Sequence, residues 1–302
     1  MKFFCLKWIK YSGNGRVIPV KIKRSARTII IVQELLNRPH HLFPLTYFAD
    51  ELGVAKSSLS EDIGLIKETI ARLQLGIVET VAGAAGGVRF LPLIGAEKRA
   101  KLAKELCQRL QEPERIIPGG FLYMNDIIYD PEIAGWIGQI FASRYVYQPP
   151  EYVLTVETKG IPLAMMTARA LGVPLVIARD DSKVTEGSSV SINYVSGSTR
   201  RIQTMALARR SLPRQARVLI IDDFMKAGGT ARGMKELLQE FEAEVVGTGV
   251  LIATVEPEQK LVGDYFSLLE LVNIDEEKKQ VEIRPAAWVT QPLAEEEGLW
   301  QL

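Results

Sequence analysis

Residues Val218 to Gly233 read VLIIDDFMKAGGTARG, and no other stretch of the chain constrains its fold as tightly. Four aliphatic residues, Val218 to Ile221, form the continuous apolar run of a strand buried on both faces. Two carboxylates follow, Asp222 and Asp223. A loop through Ala227, Gly228, Gly229 and Thr230 then enters a helical stretch from Ala231 to Phe241. This order belongs to an α/β sheet, in which ligands bind at the carboxyl ends of the strands. Backbone N–H groups at a helix start hold a phosphate dianion. Glycines let the backbone come close and shape an anion-binding nest. The two carboxylates repel phosphate and suit the vicinal hydroxyls of a ribose, with Mg²⁺ an optional neighbour. The plainer alternative is an ordinary strand–turn–helix connection with a polar loop.

The segments before it alternate in the same style. Glu97 to Leu110 reads as an amphipathic helix, Pro113 to Asn125 as a loop with strand character, and Pro131 to Ser143 as a helix. Tyr152 to Glu157 is a strand, Ile161 to Leu171 a helix, and Val173 to Ala178 the next strand. Alternation of this kind implies a parallel sheet with right-handed crossovers. The turn Thr158-Lys159-Gly160 then lies at a carboxyl edge too. An ammonium beside a glycine suits a pyrophosphate, although a solvated turn lysine reads the same way. Arg179 to Arg201 is long and polar, with alternating Val190, Ile192 and Tyr194 and a Ser-Gly turn at 196–198. It reads as a two-stranded arm able to fold over a ligand, with Arg179, Lys183 and Tyr194 as candidate contacts, or as a plain surface hairpin.

The first third has another character. Arg24 to Asn37 is a helix ended by Pro39, and Leu45 to Leu52 is a second, with Gly53 as its C-cap. A third opens around Ala55-Lys56-Ser57-Ser58 with a serine N-cap and carries Leu59, Ile63, Ile66, Ile70 and Leu73 at helical spacing. Two short β runs, IVETV and VRF, flank a turn from Ala82 to Gly87. This is the order of a winged helix, with a small helical cap as the alternative. Charge supports the nucleic-acid reading. Residues 1–92 hold 13 Lys and Arg against 7 Asp and Glu, a balance of +6, while the remainder has 24 against 29, or −5. Lys56, Ser57, Ser58 and Ser60 at the start of the third helix are the candidates nearest the bases or phosphates. Arg24 and Arg27 are candidates for backbone contacts, and Arg89 lies on the wing.

Composition closes off other classes. The chain of 302 residues is 47% hydrophobic and 24% charged, with two cysteines, Cys5 and Cys107. No disulfide framework follows, and a reducing cytoplasm is the simplest setting. His40 and His41 are the two histidines, adjacent and without partners at ligand spacing, so no metal site of the zinc type is expected. They read as an exposed loop. No segment approaches the ~18 apolar residues of a membrane span. A helix pattern begins just after Val20 to Arg24, so residues 1–19 read as an upstream extension or a flexible arm.

The Val218–Gly233 stretch resembles the phosphoribosyl-pyrophosphate (PRPP) motif of type I phosphoribosyltransferases. That family usually has Thr-Gly-Gly-Thr in the phosphate loop, and Ala227 stands at the first of those places. One hydroxyl is lost while the backbone donors remain. Joined to a winged helix, the whole resembles the purine operon repressors of Gram-positive-type bacteria. AKSSLSEDI, VAGAAGGV, PERIIPGG, TKGIPLA, KVTEGSSVSINYVSGS and RIQTMALARRS carry the likeness, from about Val20 to Val272; residues 275–302 match poorly. The resemblance implies a possible N-terminal extension over residues 1–19, a winged-helix domain over 20–92 and a phosphoribosyltransferase-like α/β effector domain over 93–302. It implies a cytoplasmic homodimer that binds operator DNA upstream of purine synthesis and salvage genes. PRPP would be the inducer, and the alarmone ppGpp would compete in the same pocket. No cofactor is required, and Mg²⁺ accompanies PRPP optionally. Thr158, Lys159 and Gly160 carry over to pyrophosphate, Asp222 and Asp223 to ribose, and Phe224, Met225, Lys226, Ala227, Gly228, Gly229 and Thr230 to the phosphate loop. Phe121, where relatives have Tyr, keeps a stacking face and loses a phenol.

A competing reading is an active purine phosphoribosyltransferase with an appended domain. It needs a hood to hold the base, and only Glu256 to Gln259 and Asp264-Tyr265-Phe266 are candidates. A third reading is a bifunctional regulator that keeps weak salvage activity.

Overall fold

The computed structural model describes residues 22–83, 85–180, 187–195, 202–293 and 296, with the backbone of two short paired strands, β1 (Ile9–Tyr11) and β2 (Val17–Pro19). The chain divides after Leu93 into two units.

The first unit holds three helices, α1 (Arg24–Asn37), α2 (Leu45–Leu52) and α3 (Lys56–Arg72). Ile31 and Leu35, Phe48 and Leu52, and Leu59, Ile63, Ile66 and Ile70 are buried, each set at the spacing of one helix face. Leu73 falls just past the end of α3 and is exposed, so it leaves the expected stripe. The expected serine cap is also absent. Ala55 is the N-cap, with extended backbone and no side-chain bond, and Leu59 donates its N–H to the Ala55 carbonyl. The helix thus starts at Lys56, leaving Ser57 and Ser58 inside the first turn. Strands β3 (Ile77–Val81) and β4 (Gly87–Leu91) form the antiparallel ribbon, with Glu79 opposite Arg89. Helix, helix, helix and two-stranded ribbon make a winged helix.

The second unit opens with α4 (Ala96–Leu110), a small ribbon of β5 (Ile116–Ile117) and β6 (Phe121–Leu122), a one-turn helix α5 (Asn125–Ile128), and α6 (Pro131–Ser143). Asp130 caps α6 by accepting the N–H groups of Glu132 and Ile133. Then follow β7 (Tyr152–Val156), α7 (Gly160–Leu171), β8 (Leu175–Ala178), the arm strands β9 (Ser189–Val195) and β10 (Ile202–Ala208), β11 (Arg217–Met225), α8 (Gly229–Gln239), β12 (Glu244–Thr254), β13 (Phe266–Asp275) and β14 (Gln280–Pro285).

Six strands form the main sheet in the order β14-β13-β12-β11-β7-β8. All neighbours are parallel except β13 and β14. Alternation along β11 sorts the two faces. Leu219 and Ile221 join Ile137 and Phe141 of α6 and Leu163 of α7 in one core. Val218 and Ile220 join Met234, Leu237 and Leu238 of α8 in the other. The sheet is therefore covered on both sides, as its unbroken apolar strands require. Several boundaries differ from the sequence reading. Strand β11 runs on through the acidic pair to Met225, because Phe224 and Met225 still pair with Ile252 and Ala253 of β12. Helix α8 starts at Gly229 rather than at Ala231. The antiparallel edge strand β14 lies in the tail where the sequence offered no assignment.

Candidate functional site

A cleft of about 280 Å³ opens at the carboxyl ends of β7 and β11. Asp222 and Asp223 stand at its floor. Asp222 is buried and accepts the Asp223 N–H at 2.9 Å. Burial pushes the Asp222 carboxyl well above the usual carboxylate range, and the neighbouring Asp223 adds to the rise. Burial raises Asp223 too, opposed by its hydrogen bond with Asp222 and by the Lys159 ammonium. A buried acidic pair held in this way takes hydroxyl donors or a cation readily. The turn after β7 supplies Thr158 and Lys159 to the rim. Gly160 lies directly behind Asp222, where any side chain would strike Thr155 and Asp222. The peptide between Glu157 and Thr158 is cis.

The opposite wall is the phosphate-type loop. Gly228 has φ +84°, a left-handed conformation that suits glycine, and it forms the N-cap of α8. The first N–H groups of α8 have no partner within the helix, and Gly229, Thr230 and Ala231 of that first turn line the cleft. The loop is braced from behind. Leu261 N–H donates to the Ala227 carbonyl at 2.8 Å, and the Thr254 hydroxyl donates to the Lys226 carbonyl at 3.2 Å. Lys260 Nζ donates to the Thr254 carbonyl at 2.7 Å. A braced set of backbone donors beside a buried acidic pair has the chemistry to accept a phosphorylated polyol. Among the described residues no group of three or more His, Cys, Asp or Glu is placed to hold a metal ion. A Mg²⁺ ion here would need phosphate oxygens of a ligand to complete its shell, with Asp222 and Asp223 as its protein neighbours.

In the first unit, Lys56 and Ser57 at the start of α3 are exposed and Ser58 is half-buried. Ser60 is exposed and donates its hydroxyl to the Lys56 carbonyl. Arg24 and Arg27 are placed otherwise than the sequence suggested. Both converge on Asp62 of α3, Arg24 at 2.9 Å and Arg27 at 2.8 Å. Asp62 is fully buried, and Arg27 also reaches the Ile22 carbonyl. Arg27 thus ties α1 to α3, and only Arg24 keeps an exposed edge. Arg89 on the wing pairs with Glu79 across the ribbon.

With both sites in place, the comparisons with known proteins decide the family. Residues 23–92 match the family described as "Bacterial purine repressor, N-terminal", and residues 124–285 match "Phosphoribosyl transferase domain". The chain is 49% identical over 265 residues to the purine biosynthesis transcriptional repressor PurR of Bacillus subtilis (strain 168), covering 88% of this chain and 93% of that one. The chain belongs to the bacterial purine repressor family. Relatives differ in the sign of regulation. The purine biosynthesis transcriptional activator PurR of Lactococcus lactis subsp. lactis (strain IL1403) is 40% identical over 263 residues, covering 87% of this chain and 97% of that one. The second unit also resembles an enzyme. The xanthine phosphoribosyltransferase of Geobacillus thermodenitrificans (strain NG80-2) is 35% identical over 153 residues, covering 49% of this chain and 79% of that one.

In this member of the purine repressor family, the cleft brings together most of the residues singled out in sequence. Thr158, Lys159, Tyr194, Asp222, Asp223, Phe224, Met225, Lys226, Gly228, Gly229 and Thr230 all line it. Three do not. Ala227, between lining residues Lys226 and Gly228, is not itself part of the lining. Arg179 turns to Glu157 at 3.4 Å and pairs its backbone with Ala206. Phe121 sits on the β5–β6 ribbon and is 61% exposed. Lys183 lies outside the described residues. Glu157, Asp180 and Gln203 line the cleft and were not foreseen. Glu157 immediately precedes the Thr-Lys-Gly turn and could have been found there, whereas Gln203 enters only through its pairing with Tyr194. His40 departs from the exposed loop expected of it. It is half-buried, and burial followed by the nearby Arg89 lowers its pKa to about 4. His41 beside it is exposed. No helix of the described residues is long and apolar enough to cross a membrane.

Proposed function

We propose that this chain is a DNA-binding transcriptional regulator of purine synthesis and salvage genes, acting as a repressor, that reads PRPP as a signal and does not consume it. One observation carries the reading. The cleft holds donors for a ribose phosphate, and none of the candidate base-hood residues, 256–259 and 264–266, lines it. Phe266 instead packs into the core against Phe141, Tyr145 and Trp288. In this reading Asp222 and Asp223 take the ribose hydroxyls, Thr158 to Gly160 the pyrophosphate, and Lys226 to Thr230 the 5-phosphate. ppGpp carries two pyrophosphates on a ribose and competes for the same groups as a corepressor. Lys56, Ser57, Ser58 and Ser60 face operator DNA. A homodimer fits a reader of two half-sites.

PRPP shifts DNA affinity only by binding the two states differently, by about 5–150-fold for ordinary couplings. The test is operator binding by the full chain as PRPP is titrated in, with and without ppGpp. PRPP should weaken binding and ppGpp should oppose it. In the Asp222→Ala/Asp223→Ala chain, DNA binding should persist and the PRPP response should vanish. Unchanged induction in that variant would end the ribose role.

The likeness to xanthine phosphoribosyltransferase favours a second reading, an active transferase. Binding energy alone does not accelerate a reaction. Incubation with PRPP, Mg²⁺ and each purine base should yield no nucleotide. Turnover on the order of 1–10³ per second would establish the enzyme instead.

A further inference from the structure

We propose that the phenol of Tyr194, carried on the β9–β10 arm, supplies the hydroxyl contact to ligand phosphate that Ala227 no longer provides from the loop. The inference deepens the ribose-phosphate reading of the cleft and rests on it.

The arm's own pattern points there first. Val190 lies opposite Leu207, Ile192 opposite Met205, and Tyr194 opposite Gln203. Opposed residues on paired strands share a face. That face is apolar for two of the three pairs, and Val190, Met205 and Leu207 are buried with Met234 and Leu237 of α8. It becomes polar only at Tyr194 and Gln203, and both of these line the cleft. The change of chemistry therefore coincides with arrival at the phosphate loop.

The ring is held in place. It lies against α8 so closely that a Cβ on Gly233 would stand 2.9 Å from Tyr194 Cγ. Only glycine leaves space for it, one turn into the helix that the loop begins. Together with Thr230, which carries the loop's remaining hydroxyl, Tyr194 lines the cleft. Its O–H donates to Gln203 Oε1 at 3.1 Å. A phosphate oxygen is a stronger acceptor than an amide oxygen, and the Gln203 amide can turn its NH₂ to the phenol oxygen as the proton is redirected. Tyr194 is only 8% exposed, so water competes weakly for that bond. A loop with Thr at position 227 would hold phosphate without the arm. With Ala227, the arm is part of the phosphate site, and occupancy fixes the arm against α8.

The experiment is calorimetric titration of the full chain with PRPP and with ribose 5-phosphate, in the wild type, Tyr194→Phe, Ala227→Thr and the double variant. Tyr194→Phe keeps the ring and its packing, so thermal unfolding should be unchanged. Its affinity for both ligands should fall about tenfold or more, the usual worth of a hydrogen bond to a charged group. Ala227→Thr should restore most of that loss in the double variant. Wild-type affinity in Tyr194→Phe would overturn the role of the phenol. A loss that Ala227→Thr does not restore would overturn the exchange of hydroxyls. If the wild type binds neither ligand, the ribose-phosphate reading falls, and this inference falls with it.

Discussion

Asp62 has no solvent exposure, yet it is a carboxylate, and two arginines neutralise it. A buried charge is tolerated only when paired and hydrogen-bonded. Removing the carboxylate strands Arg27, whose side chain is 13% exposed, while Arg24 at 54% can turn to water. Asp62→Ala should therefore destabilise the N-terminal unit by about 2–4 kcal/mol, somewhat under the value for a fully buried pair. Urea unfolding measures it, and a change under half of that would mean the pair is dispensable. Lys56→Ala should behave oppositely, leaving stability alone and lowering the slope of log K against log salt by about one. Asp222 makes the opposite case to Asp62, a buried acid with an acidic neighbour. Its carboxyl is raised in the folded state, so the folded protein holds the proton more tightly than the unfolded chain does. The stabilisation from this site is complete below the usual carboxylate range and is lost as pH rises through the folded value. Asn cannot ionise, so Asp222→Asn should be more stable than the wild type, by a margin that grows with pH. A margin that stays constant from acid to neutral pH would show that burial of the charge is not its source. A stability cost at a residue proposed to bind ligand is the usual trade at a functional site.

At the scale of elements, the connection between α1 and α2, which bonds to the wing, carries a pH dependence of its own. His40 donates its backbone N–H to Phe90 of β4, and its Nε2 is buried without a partner. Burial first, and then Arg89, depress its pKa from 6.5 to about 4. The folded domain therefore keeps His40 neutral, whereas the unfolded chain protonates it below 6.5. The stabilisation is present above pH 6.5 and is lost as pH falls towards 4. Melting of the N-terminal unit followed by circular dichroism should show this decline, and His40→Gln should flatten it. An unchanged decline would assign it to the acidic residues instead. The phosphate loop shows how elements make a site that no single one contains. Its glycines come from the β11–α8 junction, its brace from residues 254–261, and its cover from the arm.

For the whole molecule the governing relation is linkage. If PRPP lowers operator affinity by some factor, operator DNA must lower PRPP affinity by the same factor. Titrating PRPP against the chain with and without saturating operator should give two dissociation constants whose ratio equals the shift in DNA affinity. Unequal factors would mean that PRPP acts at more than one site or changes the assembly. The double substitution at Asp222 and Asp223 should bring both factors to one.

How much of this was legible beforehand depends on whether its cause lies along the chain or across it. Apolar runs, helical spacing and a glycine loop are local, and a period or a contiguous motif survives in the one-dimensional record. So the winged helix, the sheet and the Val218–Thr230 half of the site could be read directly. Arg27 could not, since its partner lies 35 residues away and a surface arginine has the same local signature as a paired one. The Tyr194–Gln203 pair, the fit of the Tyr194 ring over Gly233 and the departure of Phe121 from the cleft lining are likewise products of pairing register and of helix position against the sheet. The sequence alone determined which chemistry the chain carries and in what order. Which of those groups meet was decided by the tertiary structure, because long-range contacts follow from close packing, which leaves no repeat for a sequence to display.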